Sequence, residues 1–283
     1  MRTSVMLAAV LVGAAVLGGC SENPATGERQ LRLISDQQEI AMGSEAAPEF
    51  EQEFMGVVPD AQVQTYVNQV GQRVAAQSER EMPYEFKLLR SDLPNAFALP
   101  GGKIYITDGL LQIMGTEREL AAVLGHEVGH VAAAHNVQGM QRQMGTSVLA
   151  EIAAAAVGGR AGEAAKVATQ VTAGMVNLKY SRGDENQADQ LGIRYLAKAG
   201  YNPWGMVEML NSLAEASGGG GGGGTLASMF STHPLTEDRI EKTQETVQRE
   251  YPQAQRGAAQ PNNEAFLQTR QRARQFMVPQ KAS

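Results

Sequence analysis

From Asp36 to Gln77 apolar residues recur at helical spacing, with Val63, Tyr66, Val67, Val70 and Val74 on one stripe. The pattern breaks around Gly56 and Pro59, so it predicts two helices, the first capped by Ser35. "YEFKLLR" (84–90), "NAFALP" (95–100) and "KIYIT" (103–107) read as three short strands, and the "PGG" between the last two predicts a tight hairpin. "DGLLQIMG" predicts a short helix ending at Gly115. Thr116 and Glu119 then form a T-x-x-E capping pattern at the head of a helix running through "LGHEVGHVAAAH" (124–135). Residues 145–178 are rich in alanine and valine but carry Glu151, Arg160, Glu163 and Lys166 around a "GGRAG" break. They predict a buried helical hairpin and not a membrane span. A further helix holds "DENQADQLGIRYLAKAG", stopped by Gly200, and Asn202-Pro203 opens the next segment. Seven consecutive glycines (218–224) predict a mobile loop, and from Thr236 onward the chain is polar and helical with a loose "GAAQPNN" break. Together these elements predict an α+β, mostly helical domain with a small antiparallel sheet and no internal repeat.

Composition narrows the class. The 283 residues are 43% apolar and 19% charged, enough for a real hydrophobic core. A net charge of −6 with scattered lysines and arginines gives a nucleic-acid partner no electrostatic support. The first twenty residues differ in kind: Arg2 precedes the apolar run "VMLAAVLVGAAVLGG", which reads as an export signal. It ends at Cys20, the only cysteine in the chain. One reading is a plain secretory signal followed by an incidental thiol. In the other, "LGGC" resembles the bacterial lipobox, which implies that Cys20 is acylated and, with Ser21 next, that the protein is sorted to the outer membrane. The organisation expected is a signal peptide (1–19), a tether (20–35), a catalytic domain (36–250) and a C-terminal helical extension (251–283).

The chain has four histidines, and three of them, His126, His130 and His135, lie within ten positions. His126 and His130 are four residues apart, about 40° of rotation on a helix, so both imidazoles project from one face and can hold one metal ion. Glu127 sits beside them, placed to reach a water on the metal. This is an H-E-x-x-H pattern, and a zinc site of this kind needs a third protein ligand and an open position for water. A metzincin would carry glycine at 133 and histidine at 136, where the chain has Ala133 and Asn136. A cysteine ligand would have to be Cys20. His135 lies about 140° around a continuous helix from His130 and should miss the same ion. That leaves a carboxylate from elsewhere. In "KYSRGDENQADQLG", Glu185 and Asp189 share a helix face, so one can bind metal while the other supports a ligand. Read alone, the same pair is an ordinary solvated helix face.

"HEVGH" followed by "SRGDENQAD", with "NAFALPGGKIYITDGLL" ahead and "HPLTEDRI" behind, resembles the gluzincin metalloendopeptidases of the CaaX-prenyl-protease, HtpX, Oma and BepA-like family. The resemblance covers roughly residues 23–250 and includes the "NPATGERQLRLIS" opening of exported members. It implies a gluzincin-type metalloprotease domain, with Glu185 as the third zinc ligand and Asp189 steadying a zinc-bound histidine. It further implies one Zn²⁺ per chain and Glu127 as general base. The strand holding Asn95, Ala96 and Phe97 would line the substrate cleft, the alternative being an ordinary sheet strand. The multiple membrane spans of the prenyl-protease branch and a tetratricopeptide domain are both lacking.

His233, the remaining histidine, has two readings. "THPLTED" suits a helix start. By resemblance, His233 instead reaches the metal site, either as an oxyanion donor or as a plug carried by a lid of residues 217–233. The function expected is a lipid-anchored, periplasm-facing zinc endopeptidase acting on polypeptides in envelope quality control. The alternatives are an envelope chaperone or assembly factor with a gated, largely silent protease site, and a zinc hydrolase of a non-peptide envelope bond.

Overall fold

The computed structural model describes residues 20–158, 161–218, 226–258 and 263–279. The expected export segment, the turn of the 145–178 hairpin, glycines 219–224 and the centre of the "GAAQPNN" break lie outside these residues.

The chain begins with an antiparallel hairpin, β1 (Cys20–Glu22) and β2 (Arg29–Leu31). This corrects the expected tether: the segment is docked on the domain. Asn23 is buried, and its Nδ2 donates to the Ala132 carbonyl at 2.9 Å. Gln30 Nε2 donates to Ala133 O at 3.1 Å.

Helix α1 (Asp36–Glu53) starts at Ser35 with a full capping box, Ser35 and Gln38 satisfying each other's backbone N–H groups. Met55 and Gly56, at φ of 65° and 82°, end it, and α2 (Ala61–Ala75) restarts under an Asp60 cap. Three strands follow: β3 (Glu85–Leu89), β4 (Ala96–Ala98) and β5 (Lys103–Thr107), with β5 in the middle. The β4–β5 hairpin is present and turns through Pro100–Gly102. Gly101 has φ 77°, and a Cβ there would stand 2.5 Å from Ile40 Cα, so the turn requires glycine. The sheet is mixed and not antiparallel throughout, because β3 runs parallel to β5 with Phe86 opposite Ile104 and Leu88 opposite Ile106.

Alternation along the strands separates two cores. Ala96, Ala98, Ile104 and Ile106 face one that includes Val63, Val67, Val70 and Val74 of α2. Phe97, Leu99 and Tyr105 face the other, where Phe97 packs on Phe50 and Phe54 at ring separations of 5.1 and 4.6 Å. Aromatic pairs of this kind contribute about 0.5–1.5 kcal/mol beyond area burial.

Next come α3 (Asp108–Ile113) and the histidine-bearing α4 (Glu117–Ala132). Thr116 caps α4 through the Glu119 N–H, while the Glu119 carboxylate accepts from Gly115 N–H, one residue before the cap. Helices α5 (His135–Met144), α6 (Thr146–Gly158) and α7 (Ala161–Val176) follow. α6 and α7 pack on α1 through Leu149, Ile152, Val167 and Val171, while Val157 is exposed, so the hairpin is amphipathic and not buried all round. Among the described residues no helix is long and apolar enough to cross a membrane.

α8 (Arg182–Lys198) lies against α4, and α9 (Trp204–Gly218) packs on both. The short α10 (Ala227–Thr232) and α11 (Glu237–Glu250) complete the surround of the histidines. α12 (Asn263–Ala273) returns to α2, where buried Phe266 and the Arg272–Asp60 ion pair hold it.

Candidate metal centre

Small residues let α4 and α8 approach closely. A Cβ at Gly129 would stand 2.8 Å from the Ala188 carbonyl oxygen, and one at Gly192 would stand 3.2 Å from His126 N. That closeness sets Glu185 and Asp189 of α8 directly opposite His126 and His130 of α4. All four side chains are buried.

The two histidines present their Nε2 atoms to each other at 3.0 Å, and His130 Nε2 stands 3.2 Å from Glu185 Oε1. His233, arriving at the end of α10, places Nδ1 3.0 Å from the same Glu185 oxygen. Ligand atoms of His126, His130, Glu185 and His233 all lie within 4.8 Å of one another. His126 Nδ1 is 2.9 Å from Asp189 Oδ1, so its proton sits on that side and its Nε2 carries a lone pair. Lone pairs and a carboxylate converging on one point require a cation or a proton between them. Tetrahedral zinc ligands at about 2.0–2.1 Å stand about 3.3 Å apart, close to these separations. The donor set therefore fits Zn²⁺.

The protonation states are those a cation needs. Burial holds His130 well below the usual imidazole value and therefore neutral. Burial would raise Glu185, but the Arg239 guanidinium, with His233 and His126, outweighs it and holds the carboxyl well below the usual range. Arg239 reaches Glu185 through Nη1 and grips Asp189 through Nε and Nη2 at 2.6 and 2.8 Å. Burial also acts against a charge on His233, yet the carboxylates of Glu185 and Glu127 raise it.

Glu127 stands beside the cluster, 3.9 Å from His233 Nε2, and its Oε2 is buried with no hydrogen-bond partner. Burial raises its pKa. The free space here is a cavity of about 20 Å³ bounded by Ala96, Val123, Met229, Phe230, Glu127 and, of the donors, His126 and His233, room for about one water. Of the three strand residues expected at the cleft, Ala96 borders this cavity. Asn95 is buried and turns its carboxamide oxygen onto the Ala96 N–H at 2.9 Å. The Phe97 ring is on the opposite face, in the core with Phe50, which corrects its side chain's placement in the cleft.

Arg239, Gln187 and Tyr180 also build the centre, and sequence reasoning missed all three; His135, expected to miss the ion, is outside the donor cluster and stands instead against His130 Nδ1 at 3.0 Å. Tyr180 stacks on His130 with centroids 3.8 Å apart. Arg239 did leave a signal: it is a cation in the first turn of α11, where the helix dipole disfavours one.

The profile of peptidase family M48 matches residues 61–247. The chain belongs to peptidase family M48. Zinc is the metal of that family, and the donors described above suit it. The chain is similar to the beta-barrel assembly-enhancing protease of Yersinia pestis, 30% identical over 77% of this chain and 45% of that protein. It is 28% identical to the metalloprotease LoiP of Escherichia coli, over 85% of this chain and 95% of that protein. The mitochondrial metalloendopeptidase OMA1 of Schizosaccharomyces pombe is 29% identical over 82% of this chain and 66% of its own length. The chain thus spans less than half of the barrel-assembly relative.

Proposed function

We propose that this M48 peptidase is a zinc endopeptidase of the bacterial cell envelope, exported, acylated at Cys20, facing the periplasm and held at the outer membrane. Its substrates are misfolded or misassembled envelope polypeptides. Residues 36–250 form the protease unit and 251–283 an extension. The supporting observation is the buried, unpartnered Oε2 of Glu127 beside a converging donor set.

In this reading His126, His130 and Glu185 hold the metal, and Asp189 fixes the His126 ring through Nδ1–H. Bound zinc supplies Lewis acidity, lowering the pKa of a water to about 7 and polarising the scissile carbonyl. Glu127 accepts the water proton at Oε2 and delivers it to the leaving amine, a role worth about 10²–10⁴ in rate. Burial makes this carboxylate a stronger base than an exposed one. The peptide adds to the outer edge of β4 by backbone hydrogen bonding. Asn95 O accepts from Thr107 N–H, so the Ala96 N–H points away from β5, toward an incoming strand. The carboxamide of Asn95 takes that N–H in the meantime.

The second reading, a gated and largely silent protease site serving a chaperone or assembly role, is favoured by His233 in the donor cluster and by the small cavity. Digestion of an unfolded protein such as casein by wild type and Glu127→Gln separates the two. Loss of activity with zinc retained supports the endopeptidase. Equal activity removes Glu127 as the base, and no activity in either leaves the gated reading. Comparing envelope proteomes of wild-type and Glu127→Gln cells then identifies substrates. A Cys20→Ala chain that still partitions into detergent after processing would overturn acylation.

A further inference from the structure

His130 has a second ring nitrogen, and its environment differs from that of His126. His130 Nδ1 lies 3.0 Å from His135 Nδ1, and His135 Nε2 lies 2.9 Å from Gln187 Oε1. His135 reaches this position because α4 ends at Ala132 and Ala134 adopts a left-handed conformation, φ 61° and ψ 27°. A continuous helix would have carried it away. An alanine in that region is unfavourable, and such residues persist where the surroundings demand them.

We propose that His135 and Gln187 form a neutral hydrogen-bond relay that fixes the tautomer of His130, making His135 a positioning residue for the metal site. Two imidazole nitrogens 3.0 Å apart need one proton between them, and the far end of the chain decides which ring supplies it. The groups facing His135 Nε2 are the Gln187 oxygen and, at 3.8 Å, the Asp184 carboxylate, both acceptors. His135 therefore carries its proton on Nε2 and offers a lone pair at Nδ1. His130 donates Nδ1–H to it, and the His130 Nε2 lone pair faces His126 and Glu185. The opposite polarity would put a proton on His130 Nε2, inside the donor cluster, and exclude the metal. His126 achieves the same orientation through Asp189, so the two histidines have different supports: a carboxylate pinned by Arg239 for one, and an imidazole–amide pair for the other.

The relay rests on the metal reading of the centre but not on proteolysis, and zinc binding tests it. Zinc affinity of the purified full chain is measured by competition with a chelator. His135→Ala should weaken it by about 10–100-fold, the usual effect of removing a group that orients a ligand. Gln187→Glu keeps an acceptor facing His135 Nε2 and should bind zinc at least as tightly as wild type. Gln187→Lys puts a donor there and should weaken binding at least tenfold. Gln187 is only half-buried, so both of its variants are expected to fold. In the zinc-loaded wild type, ¹⁵N imidazole spectra should show His130 protonated at Nδ1 and His135 at Nε2. Failure of the wild type to bind zinc would sink the metal reading itself. A zinc-binding wild type with equal affinity in Gln187→Glu and Gln187→Lys, or with His135 protonated at Nδ1, would overturn the relay alone.

Discussion

Arg239 holds Asp189 by two hydrogen bonds, Nε to Oδ2 at 2.6 Å and Nη2 to Oδ1 at 2.8 Å, the second on the same oxygen that faces His126 Nδ1. The same guanidinium reaches Glu185, so one buried cation compensates two buried carboxylates, one in the donor cluster and one against His126 Nδ1. Removing one partner from such a buried cluster typically costs about 3–5 kcal/mol. Arg239→Met should therefore lower the stability of the metal-free protein by about that amount. Zinc supplies positive charge to the same carboxylates, so adding it should stabilise the variant more than the wild type. Urea unfolding of both proteins with and without zinc reads the difference. Equal stabilisation by zinc in the two would mean that Arg239 and the metal do not share this role.

Gly129 presents a steric test of the α4–α8 approach. A methyl group there would lie 2.8 Å from the backbone oxygen of Ala188, and neither helix has a flexible side chain at that contact to yield. Alanine is favoured over glycine in a helix by about 0.8–1.0 kcal/mol, so helix propensity alone predicts a gain. The clash should win, pushing α8 and with it Glu185 away from the histidines. Gly129→Ala should unfold at a lower temperature and bind zinc more weakly. A variant more stable than wild type, with full zinc affinity, would show that the helices are further apart than described.

The histidine pair, the placement of Glu127 beside it and the helix starts at Ser35 and Thr116 were legible because they depend on local spacing. The parallel pairing of β3 with β5 was not, since alternation is the same in parallel and antiparallel strands, and only the order of strands in space distinguishes them. Residues 20–31 read as a tether because their docking uses Asn23 and Gln30 on the open carbonyls of α4, with little apolar burial to mark the sequence. His135 was placed around a helix that ends three residues earlier. Its break at Ala134 lacks the glycine that ordinarily signals a left-handed residue. Arg239 lies 50 residues beyond Asp189, and no local rule joins them.

The docking of α12 should depend on pH through Asp60. The Arg272 guanidinium, aided by the backbone N–H groups of Val63 and Gln62, holds the Asp60 carboxyl below its ordinary value of 3.8. A depressed carboxyl stabilises the folded state above the unfolded pKa and loses that contribution as pH falls through the folded value. The stability difference between wild type and Arg272→Met should therefore be constant from about pH 7 to about pH 5, and shrink as the pH falls below the ordinary carboxyl value of 3.8. Denaturant unfolding across that range checks it. A difference that grows on acidification would have the wrong sign for this ion pair.

His233→Ala separates three roles, because each moves a different pair of observables. His233 Nδ1 is 3.0 Å from Glu185 Oε1, its ring lies 5.5 and 5.4 Å from those of His126 and His130, and the remaining cavity holds about one water. A catalytic zinc site needs one position free of protein, and a fourth protein donor closes it. The expected result follows from that occupancy: zinc affinity falls because a donor is lost, while peptidase activity per bound zinc rises or the protein cleaves itself. An oxyanion donor would give the other sign, with activity falling by roughly 10²–10³ and zinc affinity unchanged. A helix-start residue would change neither. Opening the site requires α10 to move, since His233 N–H is bonded to Met229 O at 2.7 Å and Tyr180 N–H to Thr232 O at 3.1 Å. If His233 is a plug, loosening the second of these contacts should also raise activity. Thr232→Pro leaves that carbonyl in place but strains the last turn of α10, so it should act in the same direction as His233→Ala while leaving the imidazole available to the metal. Activation by both variants, with zinc affinity lowered only in His233→Ala, is the signature of a gate; activation by neither removes the plug.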